Sequence, residues 1–220
     1  MRVSIGDSKF QLNKYLSHGL EGVVYEAESI TNPGQKLVVK AIFWDQNSFR
    51  NEQNALRLMD RLVASDSKRM IIVQPRIEGT DLETLLKGHI SGEAKEDLLS
   101  KYYQLPQAFY NQWGLLHGDI RPANVIVDSN FNVHLIDFGR TIKAPTDKET
   151  LDALMKKEMD IARNEMDFVY LSRDAHLALN NPLDPKSEKI VNTYARTLTL
   201  RGHEHDAIEF QRRFALIRIG

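Results

Sequence analysis

The sequence predicts an α+β fold. A small, mainly antiparallel β-sheet with one helix takes up about residues 1–75, and a mainly α-helical portion takes up about residues 76–220, the two forming a single domain of residues 1–220. Three observations predict it. Short apolar runs separated by turn residues fill residues 8–43, the mark of strands in a small sheet. Helical spacing then recurs at residues 47–63, 93–113 and from 146 onward. Between these lie two short apolar strands that carry polar side chains at their ends. His117-Gly118-Asp119-Ile120-Arg121-Pro122-Ala123-Asn124 runs into the strand Val125-Ile126-Val127, and Leu135-Ile136-Asp137-Phe138-Gly139 follows. An apolar run does not bury free carboxylates cheaply, so Asp119 and Asp137 face a ligand, a metal or water.

Composition narrows the class. With 220 residues, 42% of them hydrophobic, the chain can bury a sizeable core as one large domain or as two small lobes sharing a cleft. A net charge of −1 removes the electrostatic footprint of a nucleic-acid binder. The absence of cysteine excludes disulfides, thiolate metal sites and a cysteine nucleophile. No apolar run approaches the ~20 residues that cross a bilayer. Met1-Arg2-Val3-Ser4-Ile5-Gly6-Asp7 lacks the apolar core of a Sec-type signal. A monomeric cytoplasmic protein is the expectation.

In chain order, strands are predicted at Ser8 to Leu16, Val23 to Glu28 and Leu37 to Phe43, with Asn32-Pro33-Gly34 turning between the last two. Ser17-His18-Gly19-Leu20-Glu21-Gly22-Val23-Val24 links the first two; it is either a plain hairpin turn or a phosphate-approaching loop, since Gly19 and Gly22 carry no Cβ. Lys40 ends an apolar strand where burial is otherwise costly. Residues 47–63 form a helix with Phe49, Ala55, Leu56, Met59 and Leu62 or Val63 on one face, and Glu52 sits at that face's edge. Residues 64–69 are mostly polar, and Met70 to Val73 is the only further strand expected, so the sheet portion reads as reduced. Gln74-Pro75-Arg76-Ile77-Glu78-Gly79 reads as a hinge, Pro75 fitting an edge position. Asp81 is either a ligand-facing acid or the N-cap of helix 82–87. Pro106 should kink or break helix 93–113. Thr146-Asp147-Lys148-Glu149 is a capping-box pattern that starts helix 146–164, with Leu151, Leu154, Met155 and Met159 on one face. A second helix then carries Asp167, a candidate to reach back to the Asp119 loop. Final helices fall at 187–200 and 204–217. His203, Glu204 and His205 alternate in a spacing that does not converge on one helix face, so no metal site is assigned there.

The pattern H-G-D-x-R-x-x-N, then 13 residues to D-F-G, resembles the catalytic loop and metal-binding segment of the protein-kinase-like superfamily. Leu37-Val38-Val39-Lys40 resembles the kinase V-A-I-K strand. Residues 17–25 resemble the glycine-rich loop with Ser17 in place of its first glycine. The resemblance covers Leu16 to Gly139 and implies a two-lobed kinase-like fold and an ATP-dependent serine/threonine protein kinase using Mg²⁺, with Mn²⁺ as a substitute. It implies these roles. Asp119 takes or orients the proton of the acceptor hydroxyl, and Arg121 stabilises the migrating phosphate. Lys40, paired with Glu52, holds the α- and β-phosphates, while Asn124 and Asp137 bind the metal. Ser17, Gly19, Gly22 and Val24 cover the phosphates. Gln74, Arg76 and Glu78 surround adenine, and Asp81 meets the ribose. Gly118 stands where many regulated kinases carry an arginine, and no A-P-E motif follows Gly139. The activation segment is therefore reduced, and activity without loop phosphorylation is implied.

Within the superfamily, H-G-D also looks like aminoglycoside- and choline-type kinases and like RIO and KEOPS-complex kinases. The first group needs insertions that 38 residues between Gly79 and His117 do not hold. The overall plan is most similar to minimal bacterial effector protein kinases, the OspG and NleH group and the effectors that modify the ninety-kilodalton heat-shock chaperone. That similarity implies virulence, delivery into a host cytosol and a host protein as substrate, such as a chaperone or a ubiquitin-pathway component. A nucleotide-binding pseudokinase scaffold is the non-enzyme alternative, although the lysine, both aspartates and the asparagine are all retained.

Overall fold

The computed structural model describes residues 1–18, 22–43, 45–88 and 90–219. Its first part is a six-stranded antiparallel sheet in the order β1-β2-β3-β4-β6-β5. The strands are β1 (Arg2–Ile5), β2 (Ser8–His18), β3 (Gly22–Ser29), β4 (Lys36–Ile42), β5 (Ala64–Asp66) and β6 (Ile71–Pro75). Two of these escape a reading of the sequence. β1 turns back on β2 at Gly6, whose φ of 55° suits glycine. β5 hides in the polar stretch after the first helix and pairs with β6 from Ala64↔Val73 to Asp66↔Ile71. The sheet is thus not reduced, and edge strands need little apolar content to pair. Because β5 stops opposite Val73, one side of Pro75 is left without a neighbouring strand, which its missing N–H tolerates.

Apolar alternation in β4 sets the geometry of everything that follows. Leu37 and Val39 enter a core with Phe10, Leu12, Ala27 and Val73. Val38 and Lys40 therefore point to the opposite face. That face is covered by α1 (Gln46–Leu58), whose N-terminus is capped by Asp45, accepting from the Asn47 and Ser48 N–H groups. α1 ends five residues short of the predicted helix, so Leu62 and Val63, expected on its apolar face, lie beyond it. Asp60 turns the chain at φ 55°, and the Val63 N–H bonds to the Val73 carbonyl at 2.9 Å, so sheet pairing wins over helical spacing.

β7 (Thr80–Asp81) leads into α2 (Leu82–Lys87), and α3 (Gly92–Trp113) follows. α3 is continuous through Pro106, against the expected kink or break; Pro106 is buried beside Leu105 and Phe109, and one lost backbone bond is outweighed by that packing. β8 (Leu115–Leu116), a 3₁₀ turn (Pro122–Asn124), β9 (Val125–Val127), β10 (Val133–Leu135) and β11 (Ile142–Lys143) carry the motif residues. β9 pairs with both β10 and β7, and β11 pairs with β8.

α4 (Lys148–Asn180) is one helix of 33 residues where two were predicted, and its N-cap is Asp147 rather than Thr146. Its buried stripe is Met155, Glu158, Ala162, Met166 and Val169, while Met159 is exposed. One apolar cluster runs from Ile42, Phe49 and Leu56 through Leu98, Tyr102 and Phe109 to Met166. Tyr102 is fully buried, and its hydroxyl donates to the Ala162 carbonyl at 3.1 Å. α5 (Pro185–Leu200) and α6 (Glu204–Ile219) pack on the second half of α4 through Ala175, Val191, Tyr194 and Phe214. Among the described residues no helix is long and apolar enough to cross a membrane.

Met166 is fully buried at the centre of the main core, whereas Leu177 on the same helix is 58% exposed. Met166→Ala should lower unfolding free energy by about 2–5 kcal/mol, and Leu177→Ala by under about 0.5 kcal/mol, both read from urea-unfolding midpoints.

Candidate active site

Three segments far apart in sequence meet at Lys40. Its Nζ donates to Glu52 Oε2 and to Asp137 Oδ1, each at 2.7 Å. Glu52 is fully buried, placed there by a helical face that also carries Ser48, Ala55 and Leu56. Burial opposes the charge on Lys40, but the two carboxylates outweigh it and hold its pKa above the ordinary lysine value. Burial likewise opposes ionisation of Asp137, and the Lys40 ammonium outweighs it, holding that carboxyl below the usual range. Asp137 sits at φ 62°, a left-handed conformation that aspartate tolerates better than most residues.

Around this contact lies a cleft of about 660 Å³. Ser17, Val24, Lys40, Gln74 and Arg76 line it from the sheet side. Glu52, Asp81, Asn124 and Asp137 line it from the other elements. Three predicted ligand-contacting positions stand differently. Glu78 is absent from the lining, and its side chain pairs with Lys36 instead. The Arg76 N–H is taken by the Lys36 carbonyl at 3.1 Å, and its guanidinium pairs with Glu26. Gly22 opens β3 where a Cβ would collide with the Ala41 carbonyl, so strand packing alone demands a glycine. Gly19 lies outside the described residues. Asp81 caps α2, accepting from the Thr84 N–H at 2.8 Å, while still lining the cleft. Arg61, Val38 and Ile136 also line it and were not singled out from sequence.

The Asp119 loop is held from beneath. His117 is fully buried between Phe109 and Phe138, with ring centroids 5.7 and 5.3 Å away. The Asp119 N–H donates to His117 Nδ1 at 3.3 Å, which leaves Nε2 as the donor to the Ile136 carbonyl at 3.1 Å. Burial pushes the His117 pKa down, so the ring is neutral at pH 7. Gly118 has φ 78°, and a Cβ would run into the Arg140 backbone. Its N–H donates to Glu158, a residue that is 95% buried in the apolar stripe of α4. Burial raises the Glu158 pKa against the pull of the Gly118 and His117 N–H groups. Asp167, the residue predicted to reach this loop, is exposed. The available signal was an acid interrupting an apolar stripe at helical spacing.

Asn124 donates from Nδ2 to both the backbone carbonyl and Oδ2 of Asp119, each at 3.0 Å. Its amide oxygen accepts no hydrogen bond from the described residues. The Arg121 guanidinium lies 3.3 Å from Asp119, and that of Arg140, unforeseen from sequence, lies 3.9 Å away on its other oxygen. Arg121 faces a second cavity of about 570 Å³, shared with Glu83, Phe168 and Arg201. Ala123 borders both cavities, so the loop separates them. Among the described residues no group of three or more His, Asp or Glu side chains forms a metal site. The Asp137 carboxylate and the Asn124 amide oxygen are two hard oxygen donors, a set whose chemistry fits Mg²⁺.

Fold and site together define a kinase-like domain of mixed helix and sheet. A family model, the ABC1 atypical kinase-like domain, matches residues 61–170, half of the chain, and the chain belongs to that family. Similar proteins include the "Probable inactive leucine-rich repeat receptor kinase XIAO" of Oryza sativa subsp. japonica, 27% identical over 155 residues, which are 60% of this chain and 13% of that protein. CBL-interacting serine/threonine-protein kinase 15 of Arabidopsis thaliana is 26% identical over 67% of this chain and 38% of its own length. Serine/threonine-protein kinase greatwall of Danio rerio is 28% identical over 79% of this chain and 22% of its own length. The chain thus spans well under half the length of these relatives. None of the three is a bacterial effector, and family membership indicates nucleotide and divalent-metal chemistry in general terms.

Because the folded-state pKa of His117 lies below its unfolded value near 6.5, the unfolded chain takes up that proton first as pH falls. Stability contributed by neutral His117 is present above about pH 6.5 and is lost below it. Urea-unfolding midpoints at pH 7.5 and 5.5 should show a larger acid loss for wild type than for His117→Gln.

Proposed function

We propose that this protein is an ATP-dependent phosphotransferase, a serine/threonine protein kinase that transfers the γ-phosphate of ATP to a protein hydroxyl. The observation that carries the reading is the paired contact of Lys40 with Glu52 and Asp137 at the wall of the 660 Å³ cleft, beside Asn124. In this reading the chain is one two-lobed unit with its hinge near residues 75 and 76, working as a monomer on a protein partner rather than on nucleic acid.

Phosphoryl transfer asks a protein mainly for positioning and for neutralisation of phosphate charge. Lys40, already ionised and aimed by Glu52, neutralises phosphate oxygens in the cleft. Asp137 and Asn124 would hold Mg²⁺, which would supply further positive charge to neutralise phosphate oxygens. Asp119, braced by Asn124 and His117, accepts the proton of the acceptor hydroxyl. Arg121 and Arg140 flank it and stabilise negative charge developing between donor and acceptor. The acceptor approaches from the Arg121 cavity, on the far side of the Ala123 turn from the nucleotide. Short connection of Gly139 to α4 supports activity without loop phosphorylation.

A nucleotide-binding scaffold without transfer is the second reading, favoured by the ion pairs that already engage Asp119 and by the similarity to a receptor kinase named as inactive. Labelled ATP with Mg²⁺ and generic protein acceptors separates the two. Asp119→Ala should cut transfer by about 10²–10⁴-fold and spare nucleotide binding, while Asp137→Ala should abolish transfer. Equal signal from wild type and both variants sinks the enzyme reading; nucleotide binding without transfer selects the scaffold; transfer to choline or an aminoglycoside in place of protein assigns a small-molecule acceptor.

A further inference from the structure

α1 does more than carry Glu52. Ser48, Asn51, Glu52 and Ala55 are spaced three and four apart, so they share one face. From that face Asn51 Nδ2 donates to the Gly139 carbonyl at 3.1 Å. Ser48 lies directly under Gly139, so close that a Cβ on the glycine would collide with its Oγ. At the other end of the helix the Arg61 N–H bonds to the Leu56 carbonyl at 2.8 Å. Its guanidinium lies 5.5 Å from the centre of the Phe138 ring and donates to the Leu135 carbonyl at 3.4 Å. The Glu52 carboxylate also attracts the Arg61 guanidinium, so Arg61 joins α1's acid to the backbone and ring around Asp137.

These contacts close a ring. Asn51 holds Gly139, two residues past Asp137; Asp137 holds Lys40; Lys40 holds Glu52; Glu52 adjoins Asn51 in α1. The segment that leaves Gly139 runs into α4 by residue 148. Its hydrogen bonds include Thr141 N–H to Phe138, Thr141 Oγ1 to the His117 carbonyl and Ala144 N–H to Gly114, all on the Asp119 side of the cleft.

We propose that Asn51 is a positioning residue for phosphotransfer: by binding the Gly139 carbonyl it locks α1 onto the D-F-G segment, so that Glu52 stays on Lys40 and Asp137 stays turned into the cleft, with Arg61 as a second strut. This rests on the phosphotransferase reading. It explains how a chain with so short a connection between Gly139 and α4 keeps its site assembled, since the support comes from α1 itself. It also separates Asn51 from Glu52 in function, the one setting the position that the other uses.

The test measures ATP affinity calorimetrically with and without Mg²⁺, single-turnover transfer to a generic protein acceptor, and thermal midpoint, for wild type, Asn51→Ala, Asn51→Asp and Arg61→Met. Arg57→Ala, on an exposed part of α1, is the control. Asn51→Ala should weaken Mg²⁺-dependent ATP binding and slow transfer by about 10- to 100-fold, the scale of a small misplacement. Binding without Mg²⁺ and the thermal midpoint should change little. In a Glu52→Gln background, Asn51→Ala should add less than about twofold, since both changes break one ring. If Asn51→Ala fails to fold, Asn51→Asp, which removes the donor and keeps the shape, carries the same expectation. Unchanged Mg²⁺-dependent binding, or losses that multiply fully in the double variant, overturns the proposal while leaving the kinase reading intact. Wild-type protein that neither binds Mg²⁺ with ATP nor transfers phosphate overturns both.

Discussion

A buried ammonium group constrains the whole architecture. Lys40 is 8% exposed, and its neighbours in β4 make the strand a wall of the core. Removing one partner from such a pair costs about 3–5 kcal/mol, because the remaining charge is left without water or counter-charge. Glu52 is 12 residues away in sequence and Asp137 is 97 away. Satisfying Lys40 therefore fixes where α1 lies on the sheet and where the strand pair β9–β10 presents its following loop. Local preference yields to this demand: Asp137 takes a left-handed backbone that most residues avoid, and α1 stops early so that residues 61–63 can return to the sheet.

The Asp119 loop answers a second constraint, the need to satisfy backbone groups in a buried, tightly crossed segment. Gly118 permits the crossing because it has no Cβ to meet Arg140. Glu158 receives its N–H from the apolar stripe of α4. His117 takes the Asp119 N–H on one ring nitrogen and gives its own proton to Ile136 with the other. The 33-residue α4 is thus a post as well as a core element, and the site is built between it and the sheet. Gly118 gains a conformational reason beside the one drawn from its lack of a guanidinium.

Much of this was legible in sequence because short-range chemistry marks it. A lysine closing an apolar strand, an acid at the edge of a helix face, and two acidic loops set 13 residues apart from Asn124 to Asp137 each violate the burial rule in a recognisable way. What escaped was marked by no such violation. β5 is a polar edge strand with only three residues, and Arg61 and Arg140 carry no sequence pattern that sets them apart from other cations. Glu78 was placed at the cleft by its position in the hinge, but an exposed lysine one strand away captured it. Asp167 was expected to reach the Asp119 loop, but it is exposed and Glu158 takes the Gly118 N–H; which face of a long helix is buried is settled only by what packs against it.

The sequence by itself determined the type of most elements and the order of the chemical groups, since these follow from alternation, helical spacing and the cost of burying charge near each residue, while the class of chemistry was implied by the resemblance of its motifs to those of the kinase-like superfamily. The tertiary structure alone decided which groups meet: Lys40 with Asp137, Gly118 with Glu158, Asn51 with Gly139, Arg61 with Phe138. Each of these contacts spans 40 residues or more and depends on the relative placement of sheet, α1 and α4, which is an outcome of shared core packing that no local pattern encodes.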